Sequence, residues 1–200
     1  MTSVEGIYAI GDVSNNIMLA HVATYEGFVA VSNALSSLGL FNVNHMNTNY
    51  RAIPSTIFTH PNIGSVGLKK KEAKDLGIKI LVGQFPYQSL GKAKCLGEDG
   101  VLMILVDKNT LQIIGASCIG ESAPELIAEI TLAMRNGLTI EAITSTIHSH
   151  PTLSEIVFEA AEAVVGKSIH KKGRPISLGI KERIIEPLFE EIEKLSSYKL

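Results

Sequence analysis

The sequence predicts an α+β fold: an antiparallel sheet with helices on one face, preceded by a strand–helix segment of α/β character. Three observations carry this. From residue 53 onwards, short apolar runs alternate with Gly, Pro and Asn turns, the punctuation of paired strands. Residues 101–107 and 111–119 flank Lys108-Asn109-Thr110, a hairpin with Asp107 and Asn109 as turn residues. Residues 122–136 and 156–165 repeat Leu, Ile, Val, Ala and Met at helical spacing, which is core or interface before it is chemistry.

Composition narrows the class. The 200 residues suit one to two domains, and 46% hydrophobic against 19% charged residues describes a chain with a real core. A net charge of −2 gives no electrostatic case for nucleic acid, and no Lys/Arg run suggests a membrane surface. There is no secretory leader pattern and no apolar run of spanning length. Cys95 and Cys118 are far apart and form no Cys-x-x-Cys pair. Each is expected to be a buried reduced thiol, which fits a cytoplasmic chain.

Along the chain, residues 1–50 form the first segment. Residues 6–12 read as a buried strand ending in Gly11-Asp12, with the carboxylate at the edge where α/β folds bind ligands. Residues 18–35 read as a helix on which Ala20, Ala23, Gly27 and Ala30 permit close packing. Its first-turn N–H groups offer a seat for an electron-rich ligand edge. On pattern alone this is a weak signal, and an ordinary strand–helix unit with a capping Asp is the default. Residues 38–51, rich in Asn and Gly without apolar period, read as a linker.

Residues 51–170 carry the sheet. Strands are expected at 53–59 and 64–68 around His60-Pro61-Asn62, a charged helix at 69–76 stopped by Gly77, and a strand at 78–87. A Gly/Lys turn follows through Lys94, then the hairpin. In the helix at 122–136, Ser122 can cap, Pro124 lies near the start and Gly137 follows the end. A short helix at 139–145 leads to a second long one. Residues 171–200 form an extension with an amphipathic acidic helix at 177–194.

The densest chemistry lies in His148-Ser149-His150-Pro151-Thr152-Leu153-Ser154-Glu155. Pro151 forces His150 extended, suits a helical first turn, and makes His150-Pro151 a candidate cis bond. Glu155 then falls in the first turn and can reach back to the His150 ring. A carboxylate on one ring nitrogen sets the tautomer and frees the other nitrogen for proton transfer. An exposed turn with two solvated histidines is the bland reading, but the His-Pro corner and the spaced Glu favour the acid–base pair. A metal site of His148, His150 and Glu155 is a rival, weakened because Pro151 disturbs the strand that would aim both rings one way. No metal is expected.

This octet resembles the His-x-His-Pro-Thr-x-Ser-Glu signature near the end of dihydrolipoamide dehydrogenases, a branch of the class I flavin-dependent pyridine nucleotide-disulfide oxidoreductases. The resemblance implies that His150 is the acid–base and Glu155 its orienter, serving the redox disulfide of a neighbouring subunit. His148 favours the lipoamide branch. The run Phe58-Thr59-His60-Pro61-Asn62-Ile63-Gly64 and Gly83-Gln84-Phe85-Pro86-Tyr87 are similar to the family's interface, or dimerisation, domain. Leu90-Gly91-Lys92-Ala93 departs from it, since many relatives carry an Asn and an Arg there. Gly11-Asp12 with Met18-Leu19-Ala20-His21 resembles its last flavin-contacting segment. That implies Asp12 bonds the ribityl chain of FAD, while Met18, Leu19, Ala20 and His21 present N–H groups to the pyrimidine end of the flavin. A homodimer, NAD as the second cofactor and lipoyl-domain components of 2-oxo acid dehydrogenase complexes as partners are implied likewise.

Gly-x-Gly-x-x-Gly turns and a Cys-x4-Cys pair, which such an enzyme needs, are absent from these residues. The chain is therefore expected to be a C-terminal part, inactive alone and without stoichiometric flavin. A non-catalytic dimerisation module, or a part of another flavin disulfide reductase, are the alternatives.

Overall fold

The computed structural model describes residues 1–40 and 44–170, so the helix expected at 177–194 lies outside the described residues. The chain divides into two compact units, with the boundary between Tyr50 and Arg51.

In the first unit the expected strand at 6–12 does not form. Ile7 and Ile10 are 54% and 41% exposed, and Gly11–Val13 closes as a 3-10 turn. An extended segment needs a neighbouring strand to take its N–H and C=O groups, and no strand lies in this unit among the described residues. The expected helix does form, as α1 (Ala20–Ser37) with Leu19 at its N-cap. A Cβ on Gly11 would sit 3.0 Å from Ala23 Cβ, and Ile10 Cδ1 lies 3.6 Å from where a Cβ on Gly27 would stand. The small residues of α1 thus do admit close packing. Residues 46–50 run along α1 through side-chain bonds. Asn33 Nδ2 donates to Met46 O at 2.9 Å and its Oδ1 accepts from Met46 N–H at 2.7 Å. Asn49 N–H donates to the Tyr25 hydroxyl.

The second unit is a five-stranded antiparallel sheet in the order β1-β2-β5-β4-β3. The strands are β1 (Pro54–Ile57), β2 (Ile63–Gly67), β3 (Ile80–Pro86), β4 (Val101–Asp107) and β5 (Ile113–Ile119). The β4–β5 turn is held as expected, with Asp107 Oδ1 accepting from Asn109 and Thr110 N–H. Register fixes the core face. Phe85, Leu102, Cys118 and Gly64 lie in one row, and Gly83, Ile104, Ala116 and Val66 in the next. Because side chains alternate faces, all eight point to the same side, and all eight are buried.

Two helices cover that side, α4 (Ala123–Arg135) and α6 (Glu155–Val164). Leu126, Ile127, Ile130, Met134, Ile156, Val157, Ala160 and Ala161 face the sheet in one cluster. Each large aliphatic chain buried this way contributes about 1.5–3 kcal/mol. Glycines set how near the helices come. A Cβ on Gly64 would lie 2.8 Å from Ala123 O, and one on Gly83 would lie 2.0 Å from Ala160 O. Tyr87 closes one end of the core, fully buried, its hydroxyl donating to Glu121 O at 2.7 Å. Cys118 lies beside it and burial pushes its thiol up to about 12, so it is a packing residue with an inert sulfur, whereas Cys95, also expected to be buried, is exposed.

Three local expectations are corrected. The segment read as a turn through Lys94 contains a short helix, α3 (Gly91–Leu96), ended by Gly97 in the left-handed region. Ser122 precedes α4 at φ +57 and makes no side-chain cap, because a capping hydroxyl needs extended backbone to aim at the first-turn N–H groups. Pro151 does not begin the last helix. Residues 151–154 form a turn, and α6 starts at Glu155. The short helices at 69–76 and 139–145 are present as α2 (Lys70–Asp75) and α5 (Ile140–Thr144).

Candidate functional site

The corner between α5 and α6 brings the octet's polar groups together. His150-Pro151 is cis. Thr152 Oγ1 donates to Ser149 O at 2.7 Å and lies 2.8 Å from Ser154 Oγ, which closes the turn. Glu155, first residue of α6, then reaches back with both oxygens. Oε2 accepts from Thr152 N–H at 2.9 Å, and Oε1 lies 2.8 Å from His150 Nδ1. Partial burial raises the Glu155 carboxyl, but the Thr152 N–H and the His150 ring outweigh it and hold the carboxyl below its ordinary value. The anion is therefore the resting form, and it accepts the Nδ1 proton of His150. The ring is 72% exposed. Its Nε2 has no hydrogen-bond partner among the described residues, which leaves that nitrogen chemically able to take or give a proton.

His148 is a different kind of histidine. Its side chain is 8% exposed, and both ring nitrogens are occupied, Nδ1 by Thr146 O and Nε2 by Glu129 of α4. Its ring packs at a tilt on Phe158 of α6, with centroids 5.6 Å apart. It therefore has no free nitrogen for a metal. Among the described residues no group of three or more His, Cys, Asp and Glu is arranged for an ion.

The second candidate group lies in the first unit. Asp12, Met18, Ala20 and His21 are exposed and Leu19 is half-buried. Asp12 sits on the 3-10 turn, and the other four span the entry to α1. The arrangement is organised by a residue that the sequence reading passed over, Glu26, 5% exposed on α1. Its carboxylate accepts from Gly11 N–H and the Tyr50 hydroxyl, each at 2.6 Å, from Ser14 Oγ at 3.1 Å and from Asn15 Nδ2. Asn15 in turn accepts from Ile17 N–H at 2.6 Å. One buried anion thus holds the turn bearing Asp12 and the approach to Met18. A Glu directly before Gly27 on a helix gives no such signal by itself, because its partners come from residues 11–15 and 50.

Burial raises the Glu26 carboxyl, and the Tyr50, Gly11, Ser14 and Asn15 donors more than reverse this, so the net is lowered. The sign follows: the stabilisation is present above the unfolded carboxylate value and is lost as pH falls through the lower folded value. Acidification through that window should lower the amide protection factors at Gly11 and Ile17, measured relative to the intrinsic exchange rate at each pH. Hydrogen-exchange NMR checks this, and pH-independent protection at both would remove Glu26 from its role.

Comparison with known proteins gives the family. The model of the pyridine nucleotide-disulphide oxidoreductase dimerisation domain matches residues 53–161. A dihydrolipoyl dehydrogenase of Chlamydia muridarum is 44% identical over 170 residues, covering 84% of this chain and 35% of the relative. One of Haloferax volcanii is 41% identical over 175 residues, covering 86% and 35%. The chain thus spans about a third of the length of these relatives. Among solved structures, LpdA from Mycobacterium tuberculosis superposes with a TM-score of 0.72 at 28% identity, covering 80% of this chain and 34% of that one. With the matched residues spanning the whole sheet, α4, α5 and the corner that carries His150 and Glu155, the chain belongs to the pyridine nucleotide-disulphide oxidoreductase dimerisation domain family.

Proposed function

We propose that this chain is the C-terminal, dimerising part of an enzyme that oxidises dihydrolipoamide to lipoamide with FAD and NAD+. Residues 51–170 would be the interface domain, residues 1–50 the end of a FAD-binding domain with its linker, and residues 171–200 an extension. The observation that carries the reading is the His150–Glu155 pair, bonded at 2.8 Å through Nδ1 on a ring that is largely exposed. The likeness to dihydrolipoyl dehydrogenases at 41–44% identity supports the substrate class.

In this reading His150 of one subunit faces the redox disulfide of the other. Its Nε2 takes the proton of a substrate thiol, and the thiolate formed is the nucleophile for disulfide exchange. Glu155 keeps the proton on Nδ1 and stabilises the charged ring, the division of labour of a Ser-His-Asp triad. The residues of the first unit fit a flavin: an exposed carboxylate, Asp12, and the N-terminus of α1, both held in place through Glu26. Asp12 would take the ribityl hydroxyls, and Met18, Leu19, Ala20 and His21 the pyrimidine edge. Bound there, FAD would supply the two-electron relay from the dithiol to NAD+. Partners in this reading are a second copy of the chain and lipoyl domains of 2-oxo acid dehydrogenase complexes, in the cytoplasm.

The test is turnover by a chain that joins these residues to the Gly-x-Gly-x-x-Gly turns and the Cys-x4-Cys pair. NAD+-dependent oxidation of dihydrolipoamide is expected. Reduction of a different disulfide, with no dihydrolipoamide oxidation, would assign the chain to another branch. Association is a separate expectation. Leu132 on α4 and Ile147 at the corner are 65% and 97% exposed, apolar surface that a two-fold partner would cover. Sedimentation at micromolar concentration should show a dimer, and a monomer at high micromolar concentration would refute it for this chain.

A further inference from the structure

The His150 corner holds a second imidazole in the same manner as the first. Glu155 and Glu159 stand four residues apart on α6, which puts them on one face with Cβ atoms about 5–6 Å apart. Glu155 Oε1 lies 2.8 Å from Nδ1 of His150, and Glu159 Oε1 lies 2.5 Å from Nδ1 of His170. Glu159 Oε2 also accepts from Ser168 Oγ at 2.6 Å and from Ile169 N–H at 3.1 Å. A carboxylate that is 2% exposed needs such donors in place of water. Those it has among the described residues all come from 168–170. The segment after α6 is thereby folded back on the helix, and it brings His170 towards Glu155. That carboxyl, pushed up by burial and pulled down by the Thr152 N–H and the His150 ring, also feels the His170 ring.

Both rings therefore present the same chemistry. The His170 side chain is 56% exposed, and its Nε2 has no hydrogen-bond partner among the described residues. With the Nδ1 proton given to Glu159, Nε2 keeps a lone pair that accepts an N–H. Dihydrolipoamide has such an N–H in its amide, and the methylene chain between its amide and its thiols is about as long as one helical pitch. We propose that His170 is a substrate-binding residue of the His150 site, its Nε2 accepting from the amide N–H while His150 meets the thiol. This rests on the reading of the chain as part of a dihydrolipoamide-oxidising enzyme. A bond at the amide is made alike before and during proton transfer, so it acts on KM and leaves kcat alone.

In the intact enzyme carrying this chain, His170→Asn keeps a side-chain amide where Nδ1 stands but has nothing at the Nε2 position. His170→Gln places an amide oxygen near the Nε2 position. The Asn variant should raise KM for dihydrolipoamide roughly 2–10-fold, the usual worth of one hydrogen bond, with kcat unchanged. The Gln variant should stay near the parent KM. Hydrogen exchange at the Ile169 amide, which Glu159 holds separately, reports whether residues 168–170 remain on α6. A raised KM accompanied by lost protection at Ile169 would assign His170 to docking that segment and overturn the proposal. An unmoved KM in the Asn variant, an equal rise in both variants, or a fall in kcat would also overturn it. His170 is exposed, so both variants are expected to fold. A parent enzyme that leaves dihydrolipoamide unoxidised would sink the functional reading and this inference with it. Turnover with a KM that His170→Asn does not move sinks this inference alone.

Discussion

His150→Gln, placed in an intact enzyme carrying this chain, should lower dihydrolipoamide turnover on the order of 10²–10⁴-fold, the usual worth of a positioned acid–base. Gln cannot take a proton at neutral pH, yet it keeps a similar shape at a largely exposed position, so folding should be unaffected. Flavin content should also stay, because His150 lies outside the first unit that holds Asp12 and Met18–His21. Glu155→Gln should cost less. The ring remains, but the anion that stabilises its charged form is gone, and the Thr152 N–H can still find a carbonyl acceptor. Steady-state kinetics with the flavin spectrum as control checks both. Near-normal turnover in His150→Gln would exclude the acid–base role.

The largest structural effect is expected at Gly83. A Cβ there would lie 2.0 Å from Ala160 O, 2.5 Å from Val164 Cγ2 and 2.9 Å from Val164 N. Two of these are backbone atoms of α6 or its end, so no rotamer change relieves the clash and the helix must move off β3. Overpacking of this kind costs about 1–3 kcal/mol and occasionally more, and here the upper end is expected. The helix that moves also carries Glu155, so the His150 contact should loosen with it. Gly77→Ala is the control. Its φ is +70 with nothing within 4 Å of the new Cβ, so only the left-handed backbone is charged against it, about 1–2 kcal/mol. Denaturant midpoints should fall much further for Gly83→Ala than for Gly77→Ala. Equal shifts would mean that α6 does not seat on Gly83 as closely as described.

Sheet elements and corner were legible for a shared reason: their determinants are local. The strands show in runs such as 101–107 and 113–119 whose alternate residues face the core, and Asp107 caps its own hairpin turn. His150 and Glu155 are five residues apart with a proline between, a spacing that lets one side chain reach the other without help from elsewhere. What the sequence alone mistook were features decided by neighbours. Residues 6–12 have strand composition, but a strand forms only against another strand, and among the described residues of this unit none stands beside them. Ser122 is a capping residue type whose hydroxyl is turned away by a left-handed backbone.

Tertiary structure alone decided the rest. Glu129 meets His148 across 19 residues of chain, and Glu26 gathers donors from residues 11, 14, 15 and 50. Neither carboxylate is marked by its own surroundings in sequence. A buried charge is tolerable only where the fold delivers enough donors to replace water, and that delivery is a property of packed helices and turns, not of any single stretch. The same holds for the two histidines of the octet. Sequence makes them equivalent imidazoles two residues apart, and packing against Phe158 and Glu129 shields one while the other stays exposed.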